Sequence, residues 1–324
     1  MNILVIGGSG LFGRKTVLHL LQDKDVSSVV SMDLAPPPEW FMKSIEKHAG
    51  RFHFVRGNVA EFEDILNAMK QYDIDRVINW AFIMVAANVQ VDPRLLTRVN
   101  VLGMSNAFEA ARVMGADRVV YASSETVYGP QAMYGDRDVT EDDQTNPTHS
   151  YAVCKLYAEI MAGQYAQQFG MNFTGLRPTI GFGHGGRSPS RFWSDMPSLA
   201  AVGKPFAMEG DGNGLFSLVS ADDVAAFAAI LIKAPSSPHP VYNVGGPATR
   251  PRDMAEVVRK YIPDAKITFG DSPMDTSGKF GLPWRVSMQR AIDDFGFSCL
   301  PLDKAVLIHI NDARLEAGMP PIKA

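Results

Sequence analysis

Four apolar residues, Ile3-Leu4-Val5-Ile6, run straight into Gly7-Gly8-Ser9-Gly10-Leu11-Phe12-Gly13. A helical pattern follows from about Leu11 to Gln22, with Val17, Leu18, Leu20 and Leu21 as its inner face. A short buried strand, a glycine-rich turn and an immediate helix leave few folds open. The glycines let backbone come close to a pyrophosphate, and the helix start offers N–H donors with a partial positive charge. The glycines fit G-x-G-x-x-G from Gly8 and G-x-x-G-x-x-G from Gly7. Such a motif alone is weak, and its context gives it weight. A second strand, Val29-Val30-Ser31-Met32, ends at Asp33, where a carboxylate can accept from adenosine ribose hydroxyls. That carboxylate repels a 2′-phosphate, and Leu34, Ala35 and three prolines follow it without an arginine, so NAD is expected rather than NADP. The competing reading of Asp33 is an ordinary strand-end turn residue.

The alternation continues along the chain. Strands are expected at Phe52–Arg56, Arg76–Trp80, Arg118–Ala122 and Phe173–Arg177. Helices are expected at Glu61–Gln71, from near Pro93 to about Gly115, and from the Tyr151 region to about Phe169. Strands joined by helical crossovers make a doubly wound parallel sheet, whose ligands bind outside the carboxyl ends of the strands. Gly7, Asp33, Asn58, Ala81, Ser124 and Pro178 all fall at those ends.

The chemistry is expected where Ser123-Ser124-Glu125-Thr126-Val127-Tyr128-Gly129 follows the fifth strand, and Ser150-Tyr151-Ala152-Val153-Cys154-Lys155 opens the next helix. Tyr151 and Lys155 lie one turn apart on one face. A free phenol titrates near pH 10 and is a poor base, and a neighbouring ammonium favours the phenolate. With a serine hydroxyl to hold a substrate oxygen, this is equipment for moving a proton on or off an alcohol or carbonyl oxygen. Tyr-x-x-x-Lys alone arises often by chance. The glycine turn upstream is what gives the pair meaning here.

In the order and spacing of these segments the chain resembles an extended short-chain dehydrogenase/reductase of the NAD-dependent epimerase/dehydratase family. Asn100, Leu176-Arg177-Pro178, Gly210-Asp211-Gly212, Ala221-Asp222-Asp223-Val224-Ala225 and Tyr242-Asn243-Val244-Gly245 extend the match over most of the chain. The resemblance implies an α/β fold: a Rossmann-type doubly wound parallel sheet with a smaller C-terminal substrate lobe. Residues 1–180 would form the NAD-binding domain, with segments near 215–245 returning to it, and 181–324 mainly the substrate lobe. It implies Ser124 as the holder of the substrate oxygen and Tyr151 as acid/base. Lys155 would tune Tyr151 and bind the nicotinamide ribose. Cofactor contacts are implied for Gly7, Gly10, Leu11, Phe12, Asp33, Asn58, Val59, Ala81, Asn100, Tyr151, Lys155, Pro178 and Ile180. Of these, Asn58 and Val59 would meet adenine, with Asn58 in place of the usual aspartate, and Pro178 and Ile180 would border the nicotinamide.

The departures from the family bear on the substrate. Sugar-nucleotide dehydratases carry an acidic pair after the hydroxyl, where this chain has Glu125 and Thr126. Sugar-nucleotide enzymes tend to carry an arginine shortly after Gly-Asp-Gly, where this chain has Phe216 between Leu215 and Leu218. An apolar ring cannot pair with a diphosphate. The alternative is that Phe216 turns into the core and that Arg187 or Arg191, in the loop 184–191, supplies the clamp for a sugar nucleotide. Met84, Val85, Ser123, Thr126, Arg187 and Phe216 are the candidate substrate contacts, and 278–284 is a further candidate loop. Three classes stay open. They are an NAD-dependent oxidoreductase acting on a small non-nucleotide hydroxyl or carbonyl compound, an NAD-retaining sugar-nucleotide epimerase, and a dinucleotide-sensing protein. The last is disfavoured because Ser124, Tyr151 and Lys155 are all present.

Composition removes other classes. The 324 residues carry 31 basic and 35 acidic side chains, a net charge of −4, so no general affinity for nucleic acid or anionic membrane is expected. Two cysteines without ligand spacing and seven scattered histidines give no metal site, and a reducing, cytoplasmic setting is expected. No signal peptide or membrane span is read. Cys154 is read as packing. The helices near 93–114 and 149–169 are expected to form a homodimer interface, through apolar positions among Val99, Leu102, Met104, Phe108, Tyr157, Met161 and Tyr165, as the resemblance implies.

Overall fold

The computed structural model describes residues 1–84, 92–274 and 282–323. Val85 and residues 278–281 of the candidate loop lie outside the described residues. In chain order the first half comprises β1 (Asn2–Ile6), α1 (Leu11–Gln22), β2 (Ser28–Asp33), α2 (Glu39–Ser44), β3 (Phe52–Arg56), α3 (Phe62–Gln71), β4 (Arg76–Asn79), α4 (Pro93–Thr97), α5 (Gly103–Val113), β5 (Arg118–Ala122) and α6 (Ser150–Phe169). The second half comprises β6 (Phe173–Pro178), β7 (Ile180–Phe182), α7 (Phe192–Ala201), β8 (Phe206–Gly210), β9 (Phe216–Ser220), α8 (Ala221–Lys233), β10 (Val241–Val244), β11 (Ala248–Thr249), α9 (Pro251–Tyr261), β12 (Ile267–Ser272), α10 (Gln289–Phe295) and α11 (Leu302–Glu316).

The apolar runs of β1, β2, β4, β5 and β6 are buried on both faces because they are the inner strands of a parallel sheet. Its seven strands run β10-β6-β5-β4-β1-β2-β3. Helices α1 and α8 cover one face through Val17, Leu20, Leu21, Val224 and Phe227. Helices α3, α5 and α6 cover the other through Ile65, Met69, Phe108, Ala158 and Met161. This is the doubly wound Rossmann-type arrangement. The strand order reverses between β1 and β4, and a ligand of such a sheet binds above their carboxyl ends, which Gly7 and Ala81 follow.

A second, smaller core of Trp193, Met196, Phe216, Leu218, Met254, Val258, Val306 and Ile310 lies under α7, α9 and α11. Helix α8 and strand β10 return to the large sheet, where β10 pairs with β6. The helix expected near 93–115 is present with an interruption: residues 98–102 form one π-helical turn between α4 and α5. An extra residue per turn is a common device at functional positions, and Asn100 sits on it.

Candidate active site

The dinucleotide cradle is built largely by backbone. Gly7 has φ +77°, in the left-handed region that favours glycine, and a Cβ there would meet Ala81 N at 2.8 Å. Gly13 packs α1 against the turn, where a methyl would collide with the Gly7 carbonyl and Gly8. At Gly10 a Cβ would find only the Gly7 carbonyl oxygen, at 3.2 Å, so this side of the turn is open. Gly10 is also the N-cap of α1, and α1 begins without a capping side chain or an acidic residue in its first turn. Its first N–H donors are therefore left to an anion. Asp33 Oδ2 accepts from Ser9 N at 3.0 Å and Oδ1 from Leu34 N at 2.8 Å. A carboxylate has about four acceptor sites, so two remain for ribose hydroxyls. These residues fit a dinucleotide.

Other cofactor candidates act one step back. Leu11 lies under Gly183, and the Phe12 ring lies against Gly181 and Trp80. The Asn58 side chain accepts from Ala60 N at 3.0 Å, and Val59 packs against Gly103. Both functions of the Asn100 amide go to residue 83: Nδ2 donates to Ile83 O and Oδ1 accepts from Ile83 N, each at 2.8 Å. Asn100 thus fixes the chain that carries Ala81, Phe82 and Met84. Pro178 pairs in register with Val244 and Ile180 with Leu218, where the large sheet passes into the lobe. Lys15 turns away from the turn to Asp312 at 2.7 Å and Asp222 at 3.4 Å. Arg14 donates to Ser9 O at 2.8 Å and His184 O at 3.1 Å.

Ser124, Tyr151 and Lys155 come together as the sequence predicts, all buried. Ser124 caps the turn 125–128, its Oγ accepting from Thr126 N at 3.2 Å, and its hydroxyl is near enough to the Tyr151 phenol to favour the ionised form. Lys155 Nζ donates to Ala122 O at 2.8 Å and lies 4.5 Å from the Phe82 ring centroid and 5.4 Å from that of Tyr151. The phenol is not depressed as the sequence reading expects. Burial pushes Tyr151 above its ordinary value, and the Ser124 hydroxyl opposes this only in part. Burial lowers Lys155 to about 7, so its charge is weakly held, and no carboxylate among the described residues partners it.

Several neighbours carried no signal in the sequence. Phe82 stands edge-on to Tyr151, with ring centroids 6.0 Å apart. His149 caps α6 through Ala152 N at 3.3 Å and stacks on the Tyr151 ring. Beneath the turn lies a buried ion pair, Arg177 to Glu159, with contacts of 2.6 and 2.8 Å. Ser123, read as a substrate contact, donates to Glu159 in this network and is a support for the turn. Arg177 also donates to the Tyr128 hydroxyl at 2.7 Å, which donates to Asn243 Oδ1 at 2.7 Å. An Arg-Glu pair so far apart in sequence, on a strand and a helix, becomes visible only when the fold joins them.

The turn itself bears two buried atoms without hydrogen-bond partners, Glu125 Oε2 and Thr126 Oγ1. Burial alone holds the Glu125 carboxyl well above the usual carboxylate range. Phe216, read as a pocket wall, turns into the lobe core, its ring 5.5 Å from Trp193 and 6.0 Å from Phe192. Arg187 is exposed, and Arg191 forms a surface pair with Asp195 at 2.7 Å. Cys154 is buried, and the described residues hold no group of three or more potential metal ligands. No described helix is long and apolar enough to cross a membrane.

The chain was compared with known proteins. It is 28% identical over 262 residues to a UDP-glucose 4-epimerase of Mycolicibacterium smegmatis, covering 78% of this chain and 80% of that protein. In fold it is similar to the Thermus thermophilus UDP-glucose 4-epimerase solved with NAD, with a TM-score of 0.79, 23% identity, and 97% and 99% of the two chains covered. It is also similar to an L-threonine dehydrogenase from Cupriavidus necator in its holo form, with a TM-score of 0.80, 20% identity, and 96% and 99% covered. The profile of the NAD dependent epimerase/dehydratase family matches residues 3–245. The chain belongs to that family and is an enzyme whose cofactor is NAD.

Proposed function

We propose that this enzyme is an oxidoreductase that transfers hydride between NAD and a small, non-nucleotide hydroxyl or carbonyl substrate. Tyr151, whose phenol burial keeps protonated, gives its proton to the oxygen when a carbonyl is reduced; in the oxidising direction it first releases that proton to solvent and then takes the substrate's hydroxyl proton. Ser124 holds the reacting oxygen beside that phenol. Lys155, with Phe82 and Ala122 around it, would bind the ribose next to the reacting ring and, when protonated, would place a positive charge near Tyr151. NAD supplies the hydride acceptor.

The observation that carries the choice of substrate is that residue 216 is not a cation. After Gly210-Asp211-Gly212, the place where sugar-nucleotide enzymes tend to have an arginine holds a ring packed on Phe192 and Trp193. Arg191 is engaged with Asp195, and Arg252 donates to Asp211 O at 2.6 Å while lying over Phe269. A diphosphate brought here needs paired cations or oriented donors. The likeness to an L-threonine dehydrogenase supports a small substrate on this fold.

The second reading is an NAD-retaining sugar-nucleotide epimerase, favoured by the relative from M. smegmatis and by the exposed Arg187. A spectrophotometric screen with NAD against hydroxy acids, amino alcohols, secondary alcohols and UDP-sugars tests the choice. Net NADH with a small compound supports the first reading, and sugar epimerisation without net NADH supports the second.

Assembly is proposed as a homodimer. Leu95, Leu102, Val153, Tyr157 and Ile160 form an exposed apolar seam where α6 packs against α5 and the turn 98–102. Met104, Phe108 and Met161, also expected in that interface, are buried against the chain's own sheet. Residues 1–180 are proposed as the cofactor domain with 181–324 as mainly a substrate lobe, and the location as cytoplasmic.

A further inference from the structure

The turn between β5 and α6 carries a carboxyl group that the proposed proton transfer does not use. Glu125 is 2% exposed, and its Oε2 has no hydrogen-bond partner. The next residue repeats the pattern, because the Thr126 hydroxyl is buried and unpartnered too. Two adjacent orphaned groups are uncommon in a folded interior, where such atoms are nearly always paired. Both follow Ser124 directly, and the charge of Glu125, were it present, would act on the Tyr151 phenol. Helix α6, which carries Tyr151, packs against this turn. Lys155 donates to Ala122 O and does not pair with the carboxyl. A buried carboxylate without a cation or donors is costly, and it escapes that cost by keeping its proton. A protonated carboxyl is a donor as well as an acceptor.

We propose that Glu125 is a substrate-binding residue, a neutral carboxylic acid that donates a hydrogen bond to a second oxygen of the substrate, next to the oxygen held by Ser124 and Tyr151. Thr126 donates or accepts at the same place. Thr126 is no carboxylate, so the pair has no base with which to remove a carbon-bound proton, and its work is recognition. The substrate class narrows accordingly to compounds bearing a hydroxyl, carbonyl or carboxyl oxygen on the carbon beside the reacting one. A simple secondary alcohol leaves both groups unpaired, and sites built to hydrogen-bond a substrate reject analogues that lack the partner. The inference rests on the proposed function for the position of the substrate, and one arm of its test does not need a substrate.

That arm is infrared spectroscopy of the NAD-loaded enzyme at neutral pH, wild type against E125Q. A carboxylic-acid carbonyl band present in the wild type and lost in E125Q is expected, and its absence from the wild type overturns the proposal. The second arm measures kcat/KM for the best compound of the substrate screen and for its analogue without the neighbouring oxygen. E125A is expected to lose at least about tenfold on the former and little on the latter, while E125Q, whose amide still donates, recovers most of the loss. Equal losses on both compounds, or a weakened NAD affinity, overturn it. Thermal midpoints of each variant show whether a loss is one of folding. If the best compound is a UDP-sugar, the small-substrate reading fails while the infrared band and the E125A/E125Q contrast still decide the role of Glu125.

Discussion

The two ends of the ligand crevice are built in opposite ways. At the cofactor end the named side chains already have partners, and what is left open is backbone N–H: Asp33 accepts two N–H groups, Asn100 uses its whole amide on residue 83, and Gly7 lies packed against Ala81. At the catalytic end Glu125 and Thr126 have buried atoms without partners, and Lys155 keeps an ammonium against one carbonyl and two rings. A cradle made of backbone serves one constant ligand and has its shape before that ligand arrives. A reaction site holds its groups in unfavourable surroundings and needs the ligand to complete them. Stability and function therefore coincide at the first end and oppose each other at the second.

The largest effect that sharpens this contrast is at Tyr151 and Lys155. Tyr151→Phe should lower turnover by about 10²–10⁴-fold and leave NAD binding nearly intact, since only a transferable proton is lost. Lys155→Met should weaken both turnover and NAD affinity and yet raise the thermal midpoint of the cofactor-free protein near pH 7. The sign follows from burial. The Lys155 pKa is lowered from its ordinary value near 10.5 to about 7, so between those values the unfolded chain binds more protons than the folded one. The wild type therefore gains stability as pH rises through that window, and the advantage of Lys155→Met should shrink in step. A lower midpoint for Lys155→Met across the whole range would break the contrast.

At the cofactor end the effects should run together. Gly13→Ala places a methyl against the Gly7 carbonyl and Gly8 backbone, so NAD affinity and thermal midpoint should fall in parallel. Calorimetric NAD titration and a melting curve check it, and unchanged NAD binding would contradict the backbone account of the cradle. A smaller change is expected for Asp33→Ser. It removes the carboxylate that opposes a 2′-phosphate, so NADP binding should improve relative to NAD while turnover with saturating NAD is little affected. Tighter binding of NADP than NAD by the wild type would contradict the role of Asp33. Smallest in effect on chemistry is Ile160→Glu on the exposed seam. It should convert a dimer to monomer in light scattering with the active site intact, and a wild-type monomer at micromolar concentration would remove the interface proposal.

The same contrast sets what the sequence could tell. Strand β1, the glycine turn and α1 are read at once because a backbone cradle leaves its mark in consecutive residues: an apolar run, glycines at fixed offsets, then a helical period. Helix α8 and strands β3, β5 and β10 are equally local. The short strands β7, β8, β11 and β12 and the helices α2 and α10 carry too little periodicity to be seen. At the catalytic end Ser124, Tyr151 and Lys155 were legible by spacing. The pairing of Ser123 with Glu159 and Arg177 was not, since it joins residues from β5, α6 and β6. For Phe216 the sequence leaves pocket wall and core both open, because a position in a strand names a face but not which layer that face meets, and the residue is buried in the lobe core. Tyr151 is shifted the opposite way from what its spacing to Lys155 suggests, because spacing reports the neighbouring charge and not the depth at which both groups lie.

The central claim is that this NAD enzyme acts on a small substrate. Calorimetry of the NADH-loaded protein with UDP and UDP-glucose, with nicotinamide absorbance followed alongside for the small hydroxy compounds, tests it most directly. The account predicts no measurable heat of binding for either nucleotide and net NADH formation with at least one small compound bearing neighbouring oxygens. Micromolar binding of UDP-glucose, with epimerisation and no net NADH, would contradict it.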